Sequence, residues 1–203
     1  MSGVNVIVSY RMRVGGLQRG VTMLEVLITL VVFSIGVLSV AMLQGVSTRA
    51  NYEAVQRTTA AYISNDLLER MRTNPAALEL YMPGGALGNG SLGAEPAPDC
   101  GSAANSCTPA ELALHDLWQW EQLLDGVAEA DGASSTGGLL MPNACIDGPV
   151  GGGQGVYTVA IAWRGQTALS NPVVNACGDG SGLYGDNNEF RRIVVAQTYI
   201  SGI

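Results

Sequence analysis

The sequence predicts an α+β chain: a long N-terminal helix packed on a small antiparallel sheet whose loops are tied by disulfides. Three observations point there. An apolar run covers residues 21–43, interrupted only by Glu25. Two late segments alternate in period two, "GVYTVAIAWRG" at 155–165 and "FRRIVVAQTYI" at 190–200. Four cysteines, Cys100, Cys107, Cys145 and Cys177, lie in loop-rich sequence between the helix and the last strand.

Residues 26–43 are eighteen positions without a charge, and the run back to Val21 makes twenty-three. That length crosses a bilayer core as a helix. The pattern continues as "STRANYEAVQRTTAAYISNDLLERMRTNP" with no proline before Pro75. Ile63, Leu67 and Met71 recur at helical spacing, and Val55, Thr59 and Tyr62 do so more loosely. Asn74 before Pro75 is a stop, because the residue before proline avoids the helical region. Gly36 and Gly45 read either as close-packing points between helices or as hinges.

Residues 82–107 are rich in Gly, Pro, Ser and Ala and read as loop. "TPAELALHDLWQWEQLL" at 108–124 reads as a short helix. Thr108 caps it, Pro109 suits the first position and Glu111 completes a capping box. Ala113, Leu117, Trp120 and Leu124 form its apolar face, and His115 is a surface or packing residue. In the first late strand Tyr157, Val159, Ile161 and Trp163 share a face; in the second, Ile193, Val195 and Tyr199 do. A further short strand is predicted near Leu139 and Leu140. "GGALGNG" and "GPVGGGQG" open no helix with a phosphate-binding pattern and are loops.

Charge narrows the function. All ten basic residues are arginine; Arg11, Arg13 and Arg19 precede the apolar run, while all seventeen acids lie at or beyond Glu25, so the part from Val21 onward sums to 7 − 17 = −10. Such a surface disfavours nucleic acid, whose phosphates need a basic face. With the arginines before the helix, the positive-inside rule sets the N-terminus in the cytoplasm and the rest outside, where disulfides form. A cleaved secretory signal would have a shorter core and a small-residue cleavage site, and "AMLQGVSTRA" is a poor match. An ordinary signal anchor accounts for the length but not for Glu25, since an acid at the centre of a spanning helix costs about 2.5–3.5 kcal/mol on insertion scales.

"RGVTMLEVL" supplies what that account lacks. It resembles the class III signal of type IV prepilins and the related pseudopilins of type II secretion: a basic leader ending in Gly, then an apolar helix with Glu at its fifth position. The resemblance implies cleavage between Gly20 and Val21 by a prepilin peptidase and N-methylation of Val21, here in place of the family's usual Phe. It implies a leader over 1–20, with Met12 as an alternative start, a transmembrane and filament-core half-helix over 21–45, a periplasmic half over 46–75 and a globular head over 76–203. The chain is then single-pass in the inner membrane, head in the periplasm, and later part of a pilus at the cell surface. Glu25 would serve subunit assembly by facing the charged amine at Val21 of a neighbouring subunit. The stretch to about Pro75 is similar to minor pilins of Gram-negative bacteria, which implies priming or modifying the fibre with other minor pilins, the major pilin and a large tip adhesin. A type II secretion pseudopilin is the alternative. A membrane-anchored periplasmic enzyme is a remote one, because no nucleophile–base pair, phosphate loop or metal cluster is legible and no cofactor is implied.

Four cysteines allow three pairings. Cys100–Cys107 with Cys145–Cys177 is favoured, contributing about 2.5 and 3.7 kcal/mol on the chain-entropy model. A zinc site is disfavoured, since no C-x-x-C pair exists and His115 stands outside any ligand spacing. "CGDGSGLYGDNNEF" offers Asp179, Asp186 and Glu189, with Asn187 and Asn188, as a weak calcium candidate without EF-hand spacing; plain turns are the competing reading.

Overall fold

The computed structural model describes residues 20–127, 130–131, 134–135 and 137–201. Leader residues 1–19, and with them the choice between Met1 and Met12, lie outside it. The chain divides into two compact units, Met1–Val46 and Ser47–Ile203.

Helix α1 is Met23–Thr73. In the first unit Thr22 caps it, its Oγ1 accepting the Glu25 amide at 3.3 Å. Every described residue of this unit is exposed, and the helix is long and apolar enough to cross a membrane. The hydroxyls it carries are satisfied within the helix. Thr29 donates to the Val26 carbonyl at 2.8 Å, Ser34 to Leu30 at 2.7 Å and Ser39 to Ile35 at 2.9 Å. Each of these three hydroxyls is thus paired without water, the arrangement lipid demands.

In the second unit the same helix turns one face inward. Gln56, Ala60, Ile63, Ser64, Leu67, Leu68 and Met71 are buried. The predicted Ile63, Leu67 and Met71 stripe is there, but Val55 and Tyr62 are 60% and 69% exposed. The inward line runs instead through Gln56, Ala60 and Ser64. Ala60 and Ser64 are small, so the helix approaches closely. Gln56 is buried because its amide bonds twice to backbone, donating to the Gly138 carbonyl at 3.0 Å and accepting from the Leu140 amide at 3.3 Å.

Helix α1 stops before Pro75, as predicted, and a 3₁₀ segment follows at Pro75–Tyr81. Helix α2, Pro109–Asp125, starts with the full capping box of Thr108 and Glu111 and ends at Gly126, whose φ of 69° suits glycine. Its face of Ala113, Leu117, Trp120 and Leu124 is buried, and the Trp120 indole donates to the Ile63 carbonyl at 2.8 Å.

Strands β1 (Ala130–Asp131) and β2 (Ser134–Ser135) form a two-residue ladder. The main sheet is β3 (Asn143–Asp147), β4 (Gly155–Arg164) and β5 (Arg191–Ile200), antiparallel in that order. The third strand is thus at 143–147 rather than near Leu139. Leu87 extends the β3 side by a single bridge to Ala144.

The predicted face of β5 is corrected. Tyr157, Val159 and Ile161 of β4 pair with Thr198, Ala196 and Val194. These residues, not Ile193, Val195 and Tyr199, share the core face; Tyr199 is 60% exposed. A one-residue shift of parity moves every side chain to the other face. The other face is also covered, by the loop between β4 and β5. Gly178 of that loop lies so near Ala162 that an added Cβ would stand 3.1 Å from its methyl, and Arg191 is buried beneath the loop.

Candidate assembly site and head-domain anchors

The N-terminal unit presents an apolar surface around its whole circumference. Leu24, Leu27, Val31, Phe33, Leu38 and Met42 all have more than half of their surface free. Glu25 sits in the first turn, where the helix dipole favours an anion. Among the described residues its carboxylate has no hydrogen-bond partner within the chain, and it is the one ionisable side chain between Gly20 and Val46. An added Cβ at Gly20, Gly36 or Gly45 would meet nothing within 4 Å, so within the chain these glycines face open space.

The head is organised by charged side chains that serve the backbone. Glu121, fully buried on α2, accepts four hydrogen bonds: from the Gly88 and Ser91 amides at 2.8 Å, the Ser91 hydroxyl at 2.5 Å and the Leu92 amide at 2.9 Å. One turn on, Asp125 accepts from the amides of Asn89 and Gly90, both at 2.8 Å. Two carboxylates at i, i+4 thus hold the glycine-rich segment 88–92 on the helix. Arg70 of α1 reaches Asp66 at 2.8 Å and Asp116 at 3.0 Å, and the Tyr81 hydroxyl donates to Asp116 at 2.5 Å. Burial first, and then this bond to a carboxylate, push the Tyr81 phenol far above its ordinary pKa. None of these roles was read from the sequence; acids at i, i+4 on α2 were the available signal.

The disulfides are Cys100–Cys107 and Cys145–Cys177, with Cα separations of 5.9 and 5.8 Å. The first closes a small loop just before α2. The second joins β3 to the loop between β4 and β5. The calcium candidates do not converge. Asp179 accepts from the Asn188 amide group at 2.5 Å, Glu189 from the Asn187 backbone at 3.1 Å, and Asp186 is exposed. Among the described residues one group of three metal-ligating side chains does converge, elsewhere: Glu95, Asp99 and His115. His115 is buried rather than on the surface.

Two sequence-family models match. One, described as type IV pilin Tt1218, covers residues 42–118; the other, the prokaryotic N-terminal methylation motif, covers residues 16–41. Residues 42–118 are thus similar to a type IV pilin domain, and residues 16–41 to an N-methylation motif. Comparison with curated proteins gave no match, and comparison with solved structures gave none. The motif implies processing of this pilin-like chain by a prepilin peptidase and assembly into a pilus-type structure, and the apolar helix fits a membrane-anchored pilin. The pilin match ends within α2, so β3–β5 and the second disulfide fall beyond it.

Proposed function

We propose that this chain is a minor pilin of a type IV pilus, similar to PilV, that primes or modifies the fibre with other minor pilins. The observation that carries the reading is Glu25: an acid without a partner within the chain, in the first turn of a helix apolar on every side, directly after a cleavage-type motif. In this reading the peptidase cuts between Gly20 and Val21, Val21 is N-methylated, and its amine keeps a positive charge. The Glu25 carboxylate pairs with the Val21 amine of the subunit above. Each charge alone is costly in lipid; together they cost less and set the axial register. The head then lies in the periplasm and later at the cell surface, and the partners are other minor pilins, the major pilin and a large tip adhesin.

Subunits enter such a fibre from the membrane end, so a topmost subunit has no amine to meet. Because this chain has Glu25, it sits beneath another minor pilin. Crosslinking from a cysteine placed near Val21, in a cysteine-free background, is expected to capture that subunit. Glu25→Ala is expected to be cleaved normally but recruited poorly, with Glu25→Asp intermediate. Recruitment of Glu25→Ala at the wild-type level sinks this role. Quantitative mass spectrometry of purified fibres separates the class readings: low copy number with other minor pilins is expected, abundance equal to the main subunit marks a major pilin, and co-purification with secretion components marks a pseudopilin. Hydrolase activity of the head would favour the enzyme reading.

A further inference from the structure

Glu95, Asp99 and His115 form a site that neither the pilin match nor the assembly reading uses. His115 lies on α2 and is only 5% exposed. Its Nε2 stands 3.4 Å from Glu95 Oε1 and 3.4 Å from Asp99 Oδ1. Both separations exceed the usual range of an N–H···O hydrogen bond, about 2.7–3.2 Å. They match another spacing. Ligand atoms arranged tetrahedrally at about 2.0–2.1 Å from a zinc ion stand about 3.3–3.4 Å from one another. The three atoms lie within 4.8 Å of each other, near enough for one ion to meet them all once the exposed carboxylates adjust.

The surroundings hold two of the three ligands. His115 sits mid-helix, one turn from its ring neighbour Trp118. Asp99 adjoins Cys100, whose disulfide to Cys107 ties this loop to the start of α2. The Asp99 carbonyl accepts from the Asn105 side chain at 2.8 Å, and its carboxylate accepts the Gly101 amide at 2.9 Å. Gly101 also leaves room. A Cβ there would stand 3.2 Å from Asp99 Oδ1 and 3.7 Å from His115 Nε2, crowding the donor atoms. Glu95, whose carboxylate has no other partner among the described residues, is the arm that closes. A mixed imidazole and carboxylate set selects against calcium and magnesium, which take oxygen, and for a first-row transition ion.

We propose that Glu95, Asp99 and His115 bind one zinc ion, with water in the fourth position, clamping the 95–107 loop onto α2. Two carboxylates meet the dication's charge, and the neutral imidazole supplies the nitrogen. The proposal is independent of the chain's place in a fibre. The test uses the full mature chain in detergent, without a polyhistidine tag and stripped with chelator. Calorimetric titration with zinc is expected to saturate at about one equivalent, and added zinc to raise the Tm. Cobalt in its place is expected to give the intense visible absorption of a four-coordinate ion. Asp99→Asn and Glu95→Gln keep shape, remove charge and are expected to weaken zinc binding at least about tenfold each. Asp186→Asn, in the loop before β5, is expected to leave it unchanged. Absence of saturable zinc binding overturns the site and leaves an ordinary imidazole–carboxylate contact. So does binding unaffected by both variants, or calcium competing at equal concentration.

Discussion

Residues 20–46 and the head are built from similar apolar residues and treat them oppositely. In the first, Leu30 is 59% exposed in a stretch of α1 with no buried position; in the second, Leu67, further along the same helix, is fully buried. The head hides its apolar surface from water, at about 25 cal/mol per Å². The N-terminal unit hides nothing, so its sequence is matched to an apolar surrounding. The polar residues tell the same story. Hydroxyls in residues 20–46 turn back onto their own helix, whereas Glu121, Asp125 and Arg70 in the head reach to other segments. One contributes surface to an assembly, the other contributes fold.

The strongest way to break that comparison is to truncate a side chain in each unit. Trp120→Ala removes a fully buried indole and its bond to Ile63, and Leu67→Ala removes a core leucine. They are expected to destabilise the head by about 3–5 and 2–5 kcal/mol, read as chemical unfolding of the full chain in detergent. Leu30→Ala is expected to shift the same transition by less than about 0.5 kcal/mol, while weakening recruitment to fibres. Equal destabilisation by Leu30→Ala would mean that the first unit shares the head's core.

Removing the Cys145–Cys177 bond, as the double serine variant, comes next. It closes a span of 32 residues. The expected loss is about 2–4 kcal/mol. Loss of Cys100–Cys107, separation 7, is expected to be smaller.

The smallest effect sharpens the comparison at the start of α2. Hydrogen bonds from the Thr108 backbone and then its side chain hold the Glu111 pKa below its ordinary value. A depressed folded-state pKa contributes stability above the unfolded value that is lost as pH falls through the folded one. Unfolding midpoints of wild type and Glu111→Gln are therefore expected to separate near neutrality and converge below about pH 4. A separation unchanged in acid would remove the charge from the account. Gly20→Val tests the other unit, leaving a precursor larger by the leader; a mature N-terminus at Val21 in that variant would move the cleavage site.

Local chemistry was the legible part. The capping box at Thr108 and Glu111 marked α2, Pro75 marked the end of α1, and period-two alternation marked β4 and β5. What failed depended on distant neighbours. Ile193 and Val195 are apolar and half-buried like Val194 and Ala196, so alternation alone did not distinguish the two sides of β5. Gln56 is buried only because the carbonyl of Gly138 and the amide of Leu140 meet it, while Tyr62, more apolar, stays out. Strand β3, "NACID", is too short and mixed to alternate visibly. Its assignment rests on pairing with β4. The partners of His115 lie 16 and 20 residues upstream, Asp99 and Glu95, with no motif spacing between them.

Arg191 carries one further consequence. Its guanidinium reaches Asn171 Oδ1 at 2.8 Å and the carbonyls of Pro172, Asn175 and Cys177, all in the loop between β4 and β5. Synthesis runs from the N-terminus, so that loop is made before the residue that holds it. Until β5 pairs, the loop has its disulfide partner in β3 but lacks the cation that gathers its carbonyls. Ordering of this side of the head is therefore a late event, locked by the last strand to arrive. A released chain truncated before Arg191 would be more open to proteases across 166–190 than the full chain.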